Sequence, residues 1–242
     1  MSEIIEGRNP VIEALKSERE ITKLLVLDGS REGSIKKIIS MASAKNIIIN
    51  YVGKNKINSI AESDNHQGVI AYVSDHQYYD VNEVVDLEVA NNLVIICDEI
   101  TDPHNLGAII RTADAAGATG VIIPKRRSVH VTPVVAKTAA GATEYVKIAR
   151  VTNLNRAIDS LKDMGYWIVG ADMDGDRNYF EADLKGKIGL VIGSEGKGVS
   201  RMVKERCDFV VKIPMRGKVT SLNASAAASI LMYEVVRQTH EG

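Results

Sequence analysis

Two clusters in the last fifty residues carry side chains that packing alone does not call for. The first, Val191 to Ser200, is an apolar run that ends in Gly193, Gly196 and Gly198 around the carboxylate of Glu195. The second leads from Lys212-Ile213-Pro214-Met215 through Ser221, Leu222 and Asn223 into a long helical pattern. Small and polar residues at the carboxyl ends of strands are what a ligand cleft in an open α/β sheet needs. A third cluster lies far upstream, in Cys97 to Ala118, where Asp98, Asp102, Asn105 and Arg111 occupy a strand end and the first turns of a helix. Asp102-Pro103 has the pattern of an N-cap followed by proline at the first helical position, which gives Asp102 a structural role. Arg111 stands between Ile110 and the small residues Ala113, Ala115 and Ala116, where a solvated arginine has no obvious purpose. Asn105 precedes it by six residues, so the two need not share a helix face, but a loop-borne amide and a helix-borne guanidinium can still converge on one ligand.

Several chemistries fall away on spacing. The glycine order G-x-x-G-x-G reverses the dinucleotide fingerprint, and it follows a late strand rather than the first of its domain. Gly196-Lys197-Gly198 lacks the hydroxyl residue and the upstream glycine of a phosphate-binding loop. His66, His76, His104, His130 and His240 show no ligand spacing with each other or with the cysteines, so no metal site is expected. No Gly-x-Ser-x-Gly elbow marks a serine nucleophile. Cys97 and Cys207 sit in apolar strand-like contexts and read as reduced core residues.

The elements that must position these clusters form two blocks. The 242 residues, 45% hydrophobic and 25% charged, suffice for a substantial core. No apolar run is long enough to span a membrane, and the N-terminus lacks a basic-then-apolar leader, so a cytoplasmic protein is expected. Residues 1–75 alternate helical and strand-like patterns: a helix from Val11, a strand at Ile21–Leu27, a helix at Ser34–Ala44, strands at Ile47–Val52 and Gly68–Val73, and a short helix near Asn58–Glu62. Residues 76–91, with four acidic and no basic side chains, read as a linker. From 92 to 242, strands at Leu93–Cys97, Gly120–Ile123, Val146–Ile148, Trp167–Gly170, Gly189–Ile192 and Phe209–Ile213 alternate with helices at 104–116, 132–140, 153–164, 199–206 and 222–238. That alternation implies a parallel sheet built through crossovers. Net charge is −1, which argues against a grossly basic polyanion binder, although Lys125-Arg126-Arg127 and the region of Arg216 and Lys218 can contact phosphates.

Together the three clusters resemble the motifs of the SpoU family of RNA ribose 2′-O-methyltransferases, within the knotted SPOUT superfamily. The first motif is similar to Asp98…Asp102-Pro103-x-Asn105-x-Gly107…Arg111-Thr112-Ala113, the second to Ile192-Gly193-Ser194-Glu195-Gly196-x-Gly198, and the third to Ile213-Pro214-Met215…Val219-x-Ser221-Leu222-Asn223-x-Ser225. All three occur in order at suitable spacing. Thr132 to Ala142 resembles a segment of the family's ribosomal-RNA branch, and Gly7-Arg8-Asn9-Pro10-Val11 with His66-Gln67-Gly68-Val69 resembles that branch's L30e-like substrate domain.

The resemblance implies an α/β chain with a small L30e-like N-terminal domain and a parallel-sheet C-terminal domain threaded into a deep trefoil knot. It implies S-adenosyl-L-methionine as cofactor, held bent by Gly193, Ile213 and Leu222, with Gly196 and Met215 in the same loops. It implies a guanosine ribose of 23S ribosomal RNA as substrate, with transfer RNA as the rival. It further implies a homodimer built on the Leu222, Ala226, Ile230, Tyr233 and Val236 face of the last helix. The residues implied for chemistry are Asn105, Arg111, Glu195, Ser221 and Asn223. Arg111 is either the base or a holder of the target phosphate. Asn105 would orient Arg111 or the ribose, and Glu195, Ser221 and Asn223 would position the nucleotide. Ser221 and Asn223 can equally serve as caps of the final helix.

Overall fold

The computed structural model describes residues 3–17, 21–30, 33–61, 65–73 and 76–240. In chain order the elements begin β1 (Glu3–Glu6), α1 (Arg8–Lys16), β2 (Ile21–Leu27), α2 (Ser34–Ala44), β3 (Ile48–Val52), α3 (Lys54–Ile60) and β4 (Val69–Val73). They continue with β5 (Asn92–Cys97), α4 (Pro103–Ala115), β6 (Gly120–Pro124), α5 (Pro133–Thr138), β7 (Lys147–Val151), α6 (Leu154–Asp163) and β8 (Trp167–Ala171). The last are β9 (Arg177–Asn178), β10 (Lys187–Ile192), α7 (Arg201–Lys204), β11 (Phe209–Lys212) and α8 (Ala224–His240).

Two compact units result, one of residues 1–77 with 131–145, the other of residues 78–130 with 146–242. In the first unit the sheet order is β1-β4-β2-β3, with β4 antiparallel to both neighbours and β2 parallel to β3. Its core joins Val11, Leu15, Leu24, Val26, Ile35 and Ile38, all fully or nearly fully buried. The strand β1 was not anticipated, because two isoleucines between glutamates give no periodicity; pairing with β4 makes it. The helix α3 starts right after Gly53, ahead of the stretch expected near Asn58, since only Ile57 is buried and the rest is solvated. Glu62 lies outside the described residues.

In the second unit seven strands are ordered β7-β6-β5-β10-β8-β11-β9, all parallel. The chain lays β5, β6 and β7 outward in one direction, and places β8 two positions to the other side of β5. The strand β10 then fills the gap between β5 and β8. The reversal creates the topological switch point at which open α/β sheets bind ligands, beyond the carboxyl ends of the strands. Both β5 and β10 are near-continuous apolar runs, Leu93–Cys97 and Ile188–Ile192, as expected of strands covered on both faces. The last helix buries Ala224, Ala228, Leu231, Met232 and Val235, and Ser229 bonds Thr112 of α4 at 3.1 Å.

Two boundaries differ from the linear reading. Residues 131–145, read as part of the C-terminal domain, group with the first unit, and α5 packs on β1. The stretch read as a linker is docked from Tyr78 onward: the Tyr79 amide donates to the Ile148 carbonyl, and Val84 is fully buried. Polar composition hid this, because one or two buried valines suffice to anchor such a segment. Among the described residues no helix is long and apolar enough to cross a membrane.

Candidate functional site

The loop after β10 is the centre of the site. It folds back on itself, with the Ser194 amide donating to the Gly198 carbonyl at 3.1 Å and the Gly198 amide to the Ser194 carbonyl at 3.0 Å. Glycine is required at two of its positions for steric reasons. A Cβ at Gly193 would fall inside the backbone of Gly198 and Val199. Gly198 has φ of +65° and a Cβ there would lie 2.5 Å from Asp172 Oδ2. The three-glycine pattern thus builds a closed loop that presents the Glu195 side chain.

Glu195 gathers the polar residues of the other two clusters. Its Oε1 accepts from Asn105 Nδ2 at 3.0 Å, from Asn223 Nδ2, and from the Ala224 amide at 3.4 Å. Asn223 Nδ2 also donates to Asn105 Oδ1 at 2.8 Å. Both hydrogens of the Asn223 amide are therefore used, and its oxygen is free to do something else. That oxygen caps α8, accepting from the Ser225 amide at 2.9 Å and the Ala226 amide at 3.3 Å. Asn223 is accordingly both a cap and a member of the cluster. Asn105 is buried within α4, whose start is capped by Asp102, the acceptor of the His104 amide at 2.9 Å. Asp102 has the structural role that the Asp-Pro pair predicts.

Two cavities flank this cluster. One, of about 320 Å³, has apolar walls from Ile192, Val211, Ile213, Leu222 and Ala227, and a polar rim that includes Asp172, Ser194, Thr220 and Ser221. Gly193, Gly196 and Met215 complete the lining. The other, of about 530 Å³, is bounded by Glu99, Thr101, Asp102, Asn105 and Arg127. Ser194, Glu195 and Lys197 line both, so Glu195 stands on the wall between them. Apolar walls with a few convergent polar groups are the ordinary make-up of a small-molecule site.

Of the residues singled out from sequence, Gly193, Glu195, Gly196, Ile213, Met215, Ser221 and Leu222 line the first cavity, and Asn105 the second. Ser221 makes no cap: it has no hydrogen bond among the described residues. Arg111 is not brought to the cluster. It is exposed on α4, lines neither cavity and has no hydrogen bond or ion pair among the described residues. Asn105 does not orient it, because the Asn105 amide is engaged by Glu195 and Asn223. The expectation that Arg111 has no place on a solvated face fails because the buried face of α4 is carried by Leu106, Ile109, Ile110 and Ala113, leaving Arg111 outward.

Sequence reading missed Asp172 and Lys204. Asp172 ends in the first cavity, at the carboxyl end of β8, paired with Lys204 at 2.9 Å. Burial alone would raise its pKa, but Lys204 and the Asp174 and Val199 amides outweigh that and hold it below the usual aspartate value. The strand-end rule that flagged Asp98 applies equally to Asp172, in Gly170-Ala171-Asp172, and is the signal that could have found it.

Known families and structures match most of the chain. The model of the SpoU rRNA Methylase family matches residues 92–233, and that of RNA 2′-O ribose methyltransferase substrate binding matches residues 4–79. A Staphylococcus saprophyticus protein named as a TrmH family tRNA/rRNA methyltransferase is 49% identical over 238 residues, covering 97% of this chain and 95% of that protein. The crystal structure of the SpoU methyltransferase AviRb from Streptomyces viridochromogenes, in complex with AdoMet, superimposes with a TM-score of 0.86 at 26% identity, covering 100% of this chain and 92% of that one. An AdoMet-bound rRNA methyltransferase from Sinorhizobium meliloti gives a TM-score of 0.81 at 26% identity, covering 98% and 87%.

Proposed function

Because the chain belongs to the SpoU rRNA methylase family, we propose that it transfers a methyl group from S-adenosylmethionine to the ribose 2′-oxygen of a guanosine in 23S ribosomal RNA. The observation that carries this reading is the position of Glu195, bound by Asn105 and Asn223 on the wall between two cavities. One cavity suits a donor, the other an acceptor, and the wall between them is where a group would pass.

The first cavity fits the cofactor. Its Ile192, Ile213 and Leu222 walls suit a flat apolar ring, and the tight backbone at Gly193 lets main-chain groups approach a ligand closely. When bound, the cofactor supplies an electrophilic methyl group on a sulfonium sulfur. The protein's task is then alignment of the acceptor oxygen with that methyl, which lowers the barrier by restricting orientation. Glu195 has its Oε1 filled by amide donors, so it acts by fixing the 193–199 loop against Asn105 and the start of α8.

Arg111 does not act as the base in this reading. A guanidinium stays protonated throughout the accessible pH range. Exposed and without an intrachain partner among the described residues, it is available to grip a phosphate in bidentate fashion. The 2′-hydroxyl proton then leaves through that phosphate or through water. Arg111 lines neither cavity of its own chain, as a residue contributed to a second copy's site would not. The half-exposed Ile230 and Tyr233 on α8 support such a homodimer. The trefoil knot belongs to the same proposal, supported by the likeness to the SpoU methyltransferases.

Titration calorimetry of S-adenosylmethionine into the full chain tests the first step. Heat and thermal protection are expected. Neither would appear in a non-catalytic RNA-binding protein of this fold, and their absence would overturn the proposal.

A further inference from the structure

Two carboxylates from the strands on either side of β10 hold the far end of its loop. Asp98, at the end of β5, accepts from the Ser200 amide at 2.7 Å. Asp172, at the end of β8, accepts from the neighbouring Val199 amide at 3.2 Å. The strand order β5-β10-β8 places one carboxylate on each flank. Consecutive amides are thus held from opposite sides, at the point where the loop leaves the cavity.

The Asp172 side is the more elaborate. Its Oδ1 takes the Lys204 ammonium at 2.9 Å and the Asp174 amide at 3.1 Å, while Oδ2 takes Val199 and lies under Gly198. Only 8% of the Asp172 side chain is exposed, and Lys204 reaches it from α7, directly after the loop. Both residues line the first cavity, as do Gly193, Gly196 and Gly198. A carboxylate with this many donors is locked in one orientation, and the amide that it grips, Val199, directly follows Gly198, whose backbone lines the cavity.

We propose that Asp172 and Lys204 are a positioning pair that sets the shape of the 193–199 loop and so tunes affinity for the cofactor. The pair acts through the loop and makes no contribution to the methyl-transfer step itself. This rests on the reading of the first cavity as the S-adenosylmethionine site. Asp172 lines the first cavity and holds the loop where it ends, whereas Glu195 is held independently by Asn105 and Asn223. The pair should therefore govern KM for the cofactor and leave kcat nearly alone.

The test compares Asp172→Asn and Lys204→Met with Asp208→Asn. Asp208 is a control of the same chemical kind: it takes Lys162 at 2.8 Å and the Ile168 amide at 2.8 Å but lines neither cavity. Calorimetry and steady-state assays use the full chain with S-adenosylmethionine. Loss of a charge-assisted bond predicts a rise of about tenfold in cofactor Kd and KM for the Asp172 and Lys204 variants, with kcat within about threefold of wild type. Asp208→Asn should lose thermal stability with its cofactor KM unchanged. Variants that lose thermal stability like the control but keep the wild-type KM would overturn the proposal, as would a fall in kcat at constant KM. If the wild-type chain itself binds no S-adenosylmethionine, the reading of the cavity fails first, and the two failures are told apart by that one titration.

Discussion

Asn223 can be taken apart by two substitutions, because its oxygen and its nitrogen do different work. The oxygen caps α8 through the Ser225 and Ala226 amides, and the nitrogen joins Glu195 to Asn105. Asn223→Ala removes both functions. Loss of the cap costs about 1 kcal/mol, or roughly 2–4 °C in Tm for a chain of this size. Asn223→Asp keeps an acceptor for the cap, and a negative charge at a helix N-terminus is favourable. It nevertheless removes both donors and sets a second carboxylate against Glu195. A charge-assisted hydrogen bond is worth about 1.5–3 kcal/mol, so methyl transfer should fall about 10- to 100-fold in both variants. Both variants should lose Tm through the broken cluster, and the alanine variant loses the cap contribution as well. The aspartate variant should also regain activity as pH falls, because two carboxylates sharing a site raise the pKa of one, and the proton restores a hydrogen bond. Calorimetry and a filter-binding methylation assay over pH 5.5–8.5 read all of this. An Asn223→Asp variant with full activity at every pH would show that Asn223 is a cap only, and would refute the cluster.

Further outcomes follow from the same geometry. Gly193→Ala should abolish cofactor binding by calorimetry while the chain stays folded by circular dichroism, since its Cβ has no room against Gly198 and Val199. Arg111→Lys keeps the charge but loses the planar fork, and should raise KM for RNA at least tenfold without changing cofactor Kd; normal methylation across pH would remove any role for Arg111. Burial pushes the Cys97 and Cys207 thiols up to about 12, so neither should react with a thiol reagent in the native state at pH 8, and rapid labelling would contradict their placement. Glu234 is held below its usual 4.5 by Arg237, against the opposing effect of burial. A carboxylate with a depressed folded pKa stabilises above its unfolded pKa and loses that contribution as pH falls through the folded value. Glu234→Gln should therefore lower Tm at pH 7, with the difference from wild type shrinking as pH falls below 4.5.

The sequence carried the site better than it carried the domain edges. Parallel strands from 92 onward were legible because both-face burial leaves continuous apolar runs such as Leu93–Cys97. The clusters around Asn105, Glu195 and Asn223 were legible as polar residues at strand and helix ends, and the fold joins them across 90 to 118 residues of chain. The grouping of 131–145 with the first unit was not legible, since Thr132-Pro133 announces a helix start without saying what the helix packs on. Nor was the docking of Tyr78 to Val84, which depends on one buried valine and a backbone bond. The double role of Asn223 lay between these cases. A cap was foreseeable from its place before an apolar helix, but the Glu195 partner is a product of tertiary structure alone.

The most direct test of methyl transfer to ribose is to incubate the chain with labelled S-adenosylmethionine and separate 23S ribosomal and transfer RNAs, hydrolyse the products in alkali, and identify the labelled fragment by mass. A 2′-O-methyl group blocks cleavage at its own nucleotide, so the account predicts a labelled, alkali-resistant dinucleotide with a 5′ guanosine, from 23S RNA. Label recovered only on a base, or only in transfer RNA, would contradict it.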